Sequence, residues 1–153
     1  MLSNGVSVER FVKAPAEQVF AVLADPARHR EIDGSGTLRD AVDGPARLAL
    51  GSTFGMNMKA GAPYVMVNEV NEVVEFEADR RIAWQARPDR ALFAKAIGGR
   101  IWRYELEPRE GGTLVRETWD ISQEQVPPLV WGLRRLTRVS MNRTMDRLEK
   151  LVA

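Results

Sequence analysis

The chain has 153 residues, one histidine, no cysteine and a formal net charge of +1. The length suits one domain with a full core; the missing thiols exclude disulfides and thiolate metal sites, and the near-neutral charge argues against a general nucleic-acid binder. Met1-Leu2-Ser3-Asn4-Gly5 has neither the basic nor the apolar region of a signal peptide, and the best apolar run, 19–24, is far shorter than the roughly 18 residues of a membrane span, so a single cytoplasmic domain over 1–153 without a transmembrane segment is expected.

Residues 6–12 alternate apolar and polar, which predicts a strand. Lys13-Ala14-Pro15 breaks it, and 16–24 reads as a short helix burying Val19, Phe20, Val22 and Leu23. Asp25-Pro26 stops that helix and starts a second, shorter one through about Arg30. Six strands are then predicted over 36–42, 52–59, 64–76, 81–87, 100–107 and 113–122. Their separators carry turn chemistry: Asp43-Gly44-Pro45, Ala60-Gly61-Ala62-Pro63, Asp79-Arg80 and Glu110-Gly111-Gly112. The last is a hairpin signal, because positive φ costs glycine little. Residues 90–99 are the least patterned, and Leu92, Phe93 and Ile97 suggest a loop or short helix over something apolar.

The chain closes on its longest helical pattern, about 125–152, with Pro127 and Pro128 where a first turn tolerates them. At 100° per residue, Val126, Leu129, Val130, Leu133, Leu136, Met141, Met145, Leu148, Leu151 and Val152 share one side. Thr137, Ser140 and Thr144 run down its centre line. Small hydroxyl residues there either leave room for a ligand or let the helix lie close on a sheet. From 125 onward there are six basic and two acidic residues, +4, against −3 for the remainder. Arg134, Arg135 and Arg138 make the outer face basic, most simply as a solvated surface.

Meandering strands form an antiparallel sheet whose apolar face must be covered, and the closing helix is the only element long enough to do it. The fold class expected is therefore α+β: about seven antiparallel strands curved around a long C-terminal helix, with two short helices after the first strand. Alternation puts Phe54, Met56, Met58, Trp84, Trp102, Tyr104, Glu117 and Trp119 on the covered face. Across the Gly-Gly hairpin, Tyr104 should meet Glu117 or Trp119, and Trp102 should meet Trp119 or Ile121. Aromatic and methionine side chains facing a Thr/Ser stripe suit a ligand-lined cavity. They equally suit a core in which large sheet residues fill the gap left by small helix ones. With Thr137, Ser140, Met141 and Thr144 they form the candidate ligand-binding set. Glu117 is the odd member, either a polar anchor or acid/base group, or a residue satisfied by Tyr104 or Thr144, exposed at the mouth, or turned out by a bulge. Tyr104 and Glu117 are the catalytic candidates.

His29, Glu31 and Asp33 offer nitrogen and oxygen ligands in one stretch. Residues two apart do not share a helix face, however, and no second histidine completes a metal triad. No metal site or cofactor is assigned, and a gate-forming loop is the better reading. No nucleophile elbow, phosphate loop, dinucleotide fingerprint or zinc spacing occurs.

The chain resembles the START-like, or SRPBCC, superfamily of helix-grip domains, which includes polyketide cyclase/dehydrase-like proteins. The resemblance is carried by 8–20, by Leu23-Ala24-Asp25-Pro26, and by Val73-Val74-Glu75-Phe76 running to Arg81-Ile82-Ala83-Trp84. Further carriers are 102–108, Gly111-Gly112-Thr113, Glu117-Thr118-Trp119-Asp120 and the closing helix. It implies a cavity between sheet and last helix, and no fixed catalytic set. Three functions follow as expectations: a carrier or sensor of a hydrophobic small molecule or lipid; a cyclase or dehydratase using the same cavity; or an interaction or stress-modulating protein with a filled interior, acting through the outer face of the helix.

Overall fold

The computed structural model describes residues 5–34, 38–41, 44–60, 65–88 and 98–153. Strand β1 (Gly5–Val12) is followed by helix α1 (Ala16–Leu23), a 3-10 turn (Pro26–Arg28) and helix α2 (His29–Ile32). Strands β2 (Leu38–Ala41), β3 (Thr53–Ala60), β4 (Val65–Glu77), β5 (Arg81–Pro88), β6 (Ile101–Arg109) and β7 (Gly112–Asp120) come next. Helices α3 (Pro127–Trp131) and α4 (Arg134–Val152) close the chain. The strands form one sheet, ordered β1-β7-β6-β5-β4-β3-β2, with every pair antiparallel. The meander therefore ends by bringing β7 back to β1, and α4 packs over β1 and touches α1 and α2. This is the expected α+β helix-grip architecture.

Local chemistry accounts for the boundaries. The Asp25 side chain accepts from the Ala27 N–H at 3.0 Å and caps the turn that Pro26 starts. Gly111 adopts φ +84° in the β6–β7 hairpin, where a Cβ would be strained. In β4 the register shifts between Val73 and Glu75, a bulge that bends the strand. The outward face is a charge ladder in which Arg103 meets Glu75 at 2.6 Å, Arg81 meets Glu105 at 3.0 Å and Arg116 meets Glu9 at 2.9 Å. Glu124, itself buried, accepts the Gly98 N–H at 2.5 Å and the Arg100 N–H at 2.8 Å, which pins the entry to β6.

The core lies between the inner sheet face, α1 and α4. Val12, Val19, Phe20, Leu23, Ile82, Val115, Met141, Met145 and Leu148 are all buried. Among the described residues, no helix is long and apolar enough to cross a membrane. Residues 89–97, with Leu92, Phe93 and Ile97, lie outside the described set, as do 42–43 and 61–64 of the expected turns.

One expectation needs correction. The closing helical pattern is two helices, not one. α3 ends at Gly132, Leu133 N–H bonds to the Val130 carbonyl at 2.9 Å, and α4 starts afresh at Arg134. Glycine costs a helix interior about 1 kcal/mol relative to alanine, which favours a break there. Within α4 itself Leu136 stands about 140° of rotation from Met141, with Leu133 and Leu151 each about 80° to one side of it, so these leucines do not share its buried side. Val130 is buried while Leu133 and Leu136 are 48% and 67% exposed, and Val126 and Leu151 also face solvent. Of the apolar side predicted, the firmly buried members of α4 are Met141, Met145 and Leu148.

Candidate functional site

The sheet positions the inner residues through its register. Trp119 opposes Val6 and Trp102, Trp102 opposes Trp84, and Trp84 opposes Val73, a row across five strands. In the next row Glu117 opposes Val8 and Tyr104, and Tyr104 opposes Ile82. The hairpin thus pairs Tyr104 with Glu117 and Trp102 with Trp119, as the alternation requires. Phe54 lies opposite Asn71 on β4, whereas Met56 and Met58 pair with Glu69 and Val67 by backbone and have side chains outside the described set.

Four rings cluster on this face. Trp84 sits 5.6 Å from Tyr104 and 5.8 Å from Phe54, centroid to centroid. The His29 ring stacks on Trp84 at 4.7 Å with 19° between planes, and meets Phe54 edge-on at 5.5 Å. Trp102 and Trp119 form a separate pair at 6.4 Å. His29 Nε2 lies 2.8 Å from the Leu23 carbonyl oxygen, so it carries the proton and donates. Burial depresses the histidine to about 4, against the opposing pull of that bond and of Asp25, so the imidazole is neutral at pH 7. Its place in the aromatic cluster has no signal in the spacing of 29–33, since contacts with Trp84 and Phe54 depend on how α2 docks.

Glu117 is 2% exposed on this apolar face. Its Oε2 accepts a short hydrogen bond from the Tyr104 hydroxyl. Its Oε1 is buried and has no hydrogen-bond partner among the described residues. Burial raises the carboxyl to about 8; the Tyr104 bond pulls it down and the Asp33 charge pushes it further up. Burial, then Glu117, hold the Tyr104 hydroxyl well above its ordinary value. At pH 7 the carboxyl is therefore predominantly protonated. With Oε2 accepting from Tyr104, the acid proton belongs on Oε1, as a donor awaiting an acceptor.

On the helix side Met141 is buried, and Thr137 and Ser140 are half-buried. Thr144 does not offer a free hydroxyl to the interior. Its Oγ1 accepts the Gly34 N–H at 2.9 Å and donates to the Ser140 carbonyl at 3.1 Å. A Cβ on Gly34 would overlap the Ser140 carbonyl oxygen and the Thr144 nitrogen. At this level the small residues let the Asp33-Gly34 turn, not the sheet, lie close on α4. The Arg147 guanidinium donates to the Asp33 carbonyl at 2.8 Å and ties the same turn down. Ser35 and Gly36, the end of the 29–36 stretch read as a gate, lie outside the described set.

The sequence reading omits Trp131, whose Nε1–H is likewise buried without a partner among the described residues, with the Arg134 guanidinium 3.5 Å from its ring centroid. Among the described residues, no three His, Asp or Glu side chains converge as metal ligands. A cleft of about 600 Å³ between Lys13–Glu17 and Pro108–Gly112 contains none of the inner-face residues.

A search of curated proteins finds the uncharacterised proteins Rv0088 and MT0096 of two Mycobacterium tuberculosis strains. They are 39% and 38% identical to the chain over 111 residues, 71% of it, and the match spans only 44% of each relative's length. Among solved structures, protein CV1439 from Chromobacterium violaceum superimposes with a TM-score of 0.75 at 19% identity, covering 97% of this chain and 96% of that one. Protein Ms6760 from Mycobacterium smegmatis does so at 0.72 and 12%, covering 100% and 96%. DynU16, a protein in the dynemicin biosynthetic locus, gives 0.67 and 15%, covering 97% of this chain and 46% of that one. At such identities these likenesses establish the fold alone. Residues 4–153 match the family described as polyketide cyclase / dehydrase and lipid transport, and the chain belongs to that family.

Proposed function

We propose that the chain binds an apolar small molecule or lipid between the inner sheet face and α4, and that the ligand presents a hydrogen-bond acceptor to Glu117. The observation that carries this is the buried Oε1 of Glu117, left without a partner among the described residues beside a satisfied Oε2. A buried polar atom with no partner costs about 1–3 kcal/mol, and a ligand carbonyl or hydroxyl oxygen would recover that. Aromatic neighbours such as Trp84, Trp102 and Trp119 supply apolar contact area. Thr137 and Ser140 are half-buried on the N-terminal half of α4, whereas Met145 and Leu148 are fully buried.

The test is a ligand pair differing in one oxygen. Native mass spectrometry and displacement of a bound naphthalene dye should report 2-pentadecanone binding at least tenfold tighter than pentadecane at pH 6.5. The ketone's advantage should vanish in Glu117→Met. Equal affinity of the wild type for ketone and alkane would overturn the reading.

A cyclase or dehydratase activity is the second reading, favoured by the same pair. A neutral carboxyl hydrogen-bonded to a tyrosine can donate a proton to a carbonyl or leaving hydroxyl oxygen, while the pocket walls hold a reactive chain folded. Turnover of a poly-β-keto thioester that survives unchanged in Glu117→Gln and Tyr104→Phe would remove both residues from that role.

A further inference from the structure

We propose that the outward face of α4 is a docking surface for an anionic lipid bilayer. The helix divides its charges in an asymmetric way. Its two acidic residues, Asp146 and Glu149, are both engaged by Arg10 of β1, at 2.8 and 3.4 Å. Arg138 donates to the Ser7 carbonyl at 3.3 Å on that same flank, and Arg134 is spent on the Trp131 ring. Arg135, Arg143 and Lys150 are exposed and have no carboxylate partner among the described residues.

Apolar residues on the side of α4 away from Met141, Met145 and Leu148 share this surface. Leu133, Leu136 and Val139 are 48%, 67% and 48% exposed. At 100° per residue they fall with Arg135, Arg143 and Lys150 in one arc of about 160°. Asp146, the one acid within that arc, is paired with Arg10, which it shares with Glu149. A convex helix face with uncompensated cations along its length and apolar side chains at its start gains little in water. At an interface of acidic headgroups it gains on both counts, since the leucines enter the acyl boundary while the cations meet the surface potential. The cations extend over 16 positions, 135 to 150, roughly 23 Å of helix, which matches a field of headgroups better than a single acidic side chain. This surface is independent of what the interior holds.

Co-sedimentation of the 153-residue chain with vesicles tests it. With 30% phosphatidylglycerol in phosphatidylcholine at low salt, the protein should pellet with lipid, and it should remain in solution with phosphatidylcholine alone. Two triple variants, Leu133→Ser/Leu136→Ser/Val139→Ser and Arg135→Gln/Arg143→Gln/Lys150→Gln, should each lower partitioning at least tenfold. Both should keep the wild-type circular dichroism spectrum, because the altered residues are exposed. Raising salt from 50 to 300 mM should release the wild type. Absence of binding to anionic vesicles at low salt would overturn the proposal. So would binding that neither variant weakens, or a stable dimer in light scattering that the leucine variant dissociates, which would assign the face to a second copy.

Discussion

Glutamate 117 should make the protein less stable as the solution becomes alkaline, and Glu117→Gln should abolish that loss. The folded carboxyl ionises at about 8 and the reference carboxyl at 4.5, so between those values the folded state holds one proton that the unfolded chain has released. Stability is fully present below 4.5 and falls as pH rises towards 8. The opposing group is His29, at about 4 when folded and 6.5 as reference. Between these values the unfolded chain holds the extra proton, so the His29 contribution is complete above 6.5 and is lost as pH falls towards 4. The two slopes cancel between 4.5 and 6.5, and above 6.5 Glu117 acts alone. One proton corresponds to about 1.4 kcal/mol per pH unit, so this pair of sites takes about 2 kcal/mol from the wild type between pH 6.5 and 8. Glutamine keeps the size and an oxygen to accept from Tyr104 and cannot titrate. Urea unfolding followed by tryptophan fluorescence measures both curves. The stability difference, variant minus wild type, should grow by about 2 kcal/mol from pH 6.5 to 8 and level off above. Parallel curves over that range would refute a Glu117 that is neutral in the folded state at pH 7.

Two further predictions concern packing and anchoring. Gly34→Ala would drive a methyl into the Ser140 carbonyl and the Thr144 backbone, and should cost about 1–3 kcal/mol by overpacking; an unchanged thermal midpoint would show that the Asp33-Gly34 turn is not held against α4. Glu124→Ala removes the acceptor for the Gly98 and Arg100 N–H groups and should cost about 3 kcal/mol, with faster hydrogen exchange at those two amides; exchange rates equal to wild type would refute the anchor.

The order of elements was legible because alternation, the Pro and Gly breaks and the final helical period are local signals. The cross-strand partners Tyr104–Glu117 and Trp102–Trp119 were legible for the same reason: a tight Gly111-Gly112 turn sets the register of the strands it joins. The break at Gly132 was not, because one glycine in a periodic run is tolerated or not according to what the flanking helices pack against. Leu136 faces outward for a separate reason, since it stands about 140° around α4 from the buried Met141.

The residue sequence by itself thus determined the fold class, the strand alternation and the chemical oddity of a carboxyl on an apolar face, all of which depend on neighbours along the chain. Only the tertiary structure decided that Glu117 is buried and bonded to Tyr104 rather than exposed at a mouth or turned out by a bulge, since that burial and that bond exist only once β6 and β7 pair within the folded sheet. It also decided that Thr144 serves the Gly34 backbone, and that His29 stacks on Trp84. Those partners are 110 and 55 positions away in the chain, and contacts at such separation arise from how the helices dock on the sheet, which no local period encodes.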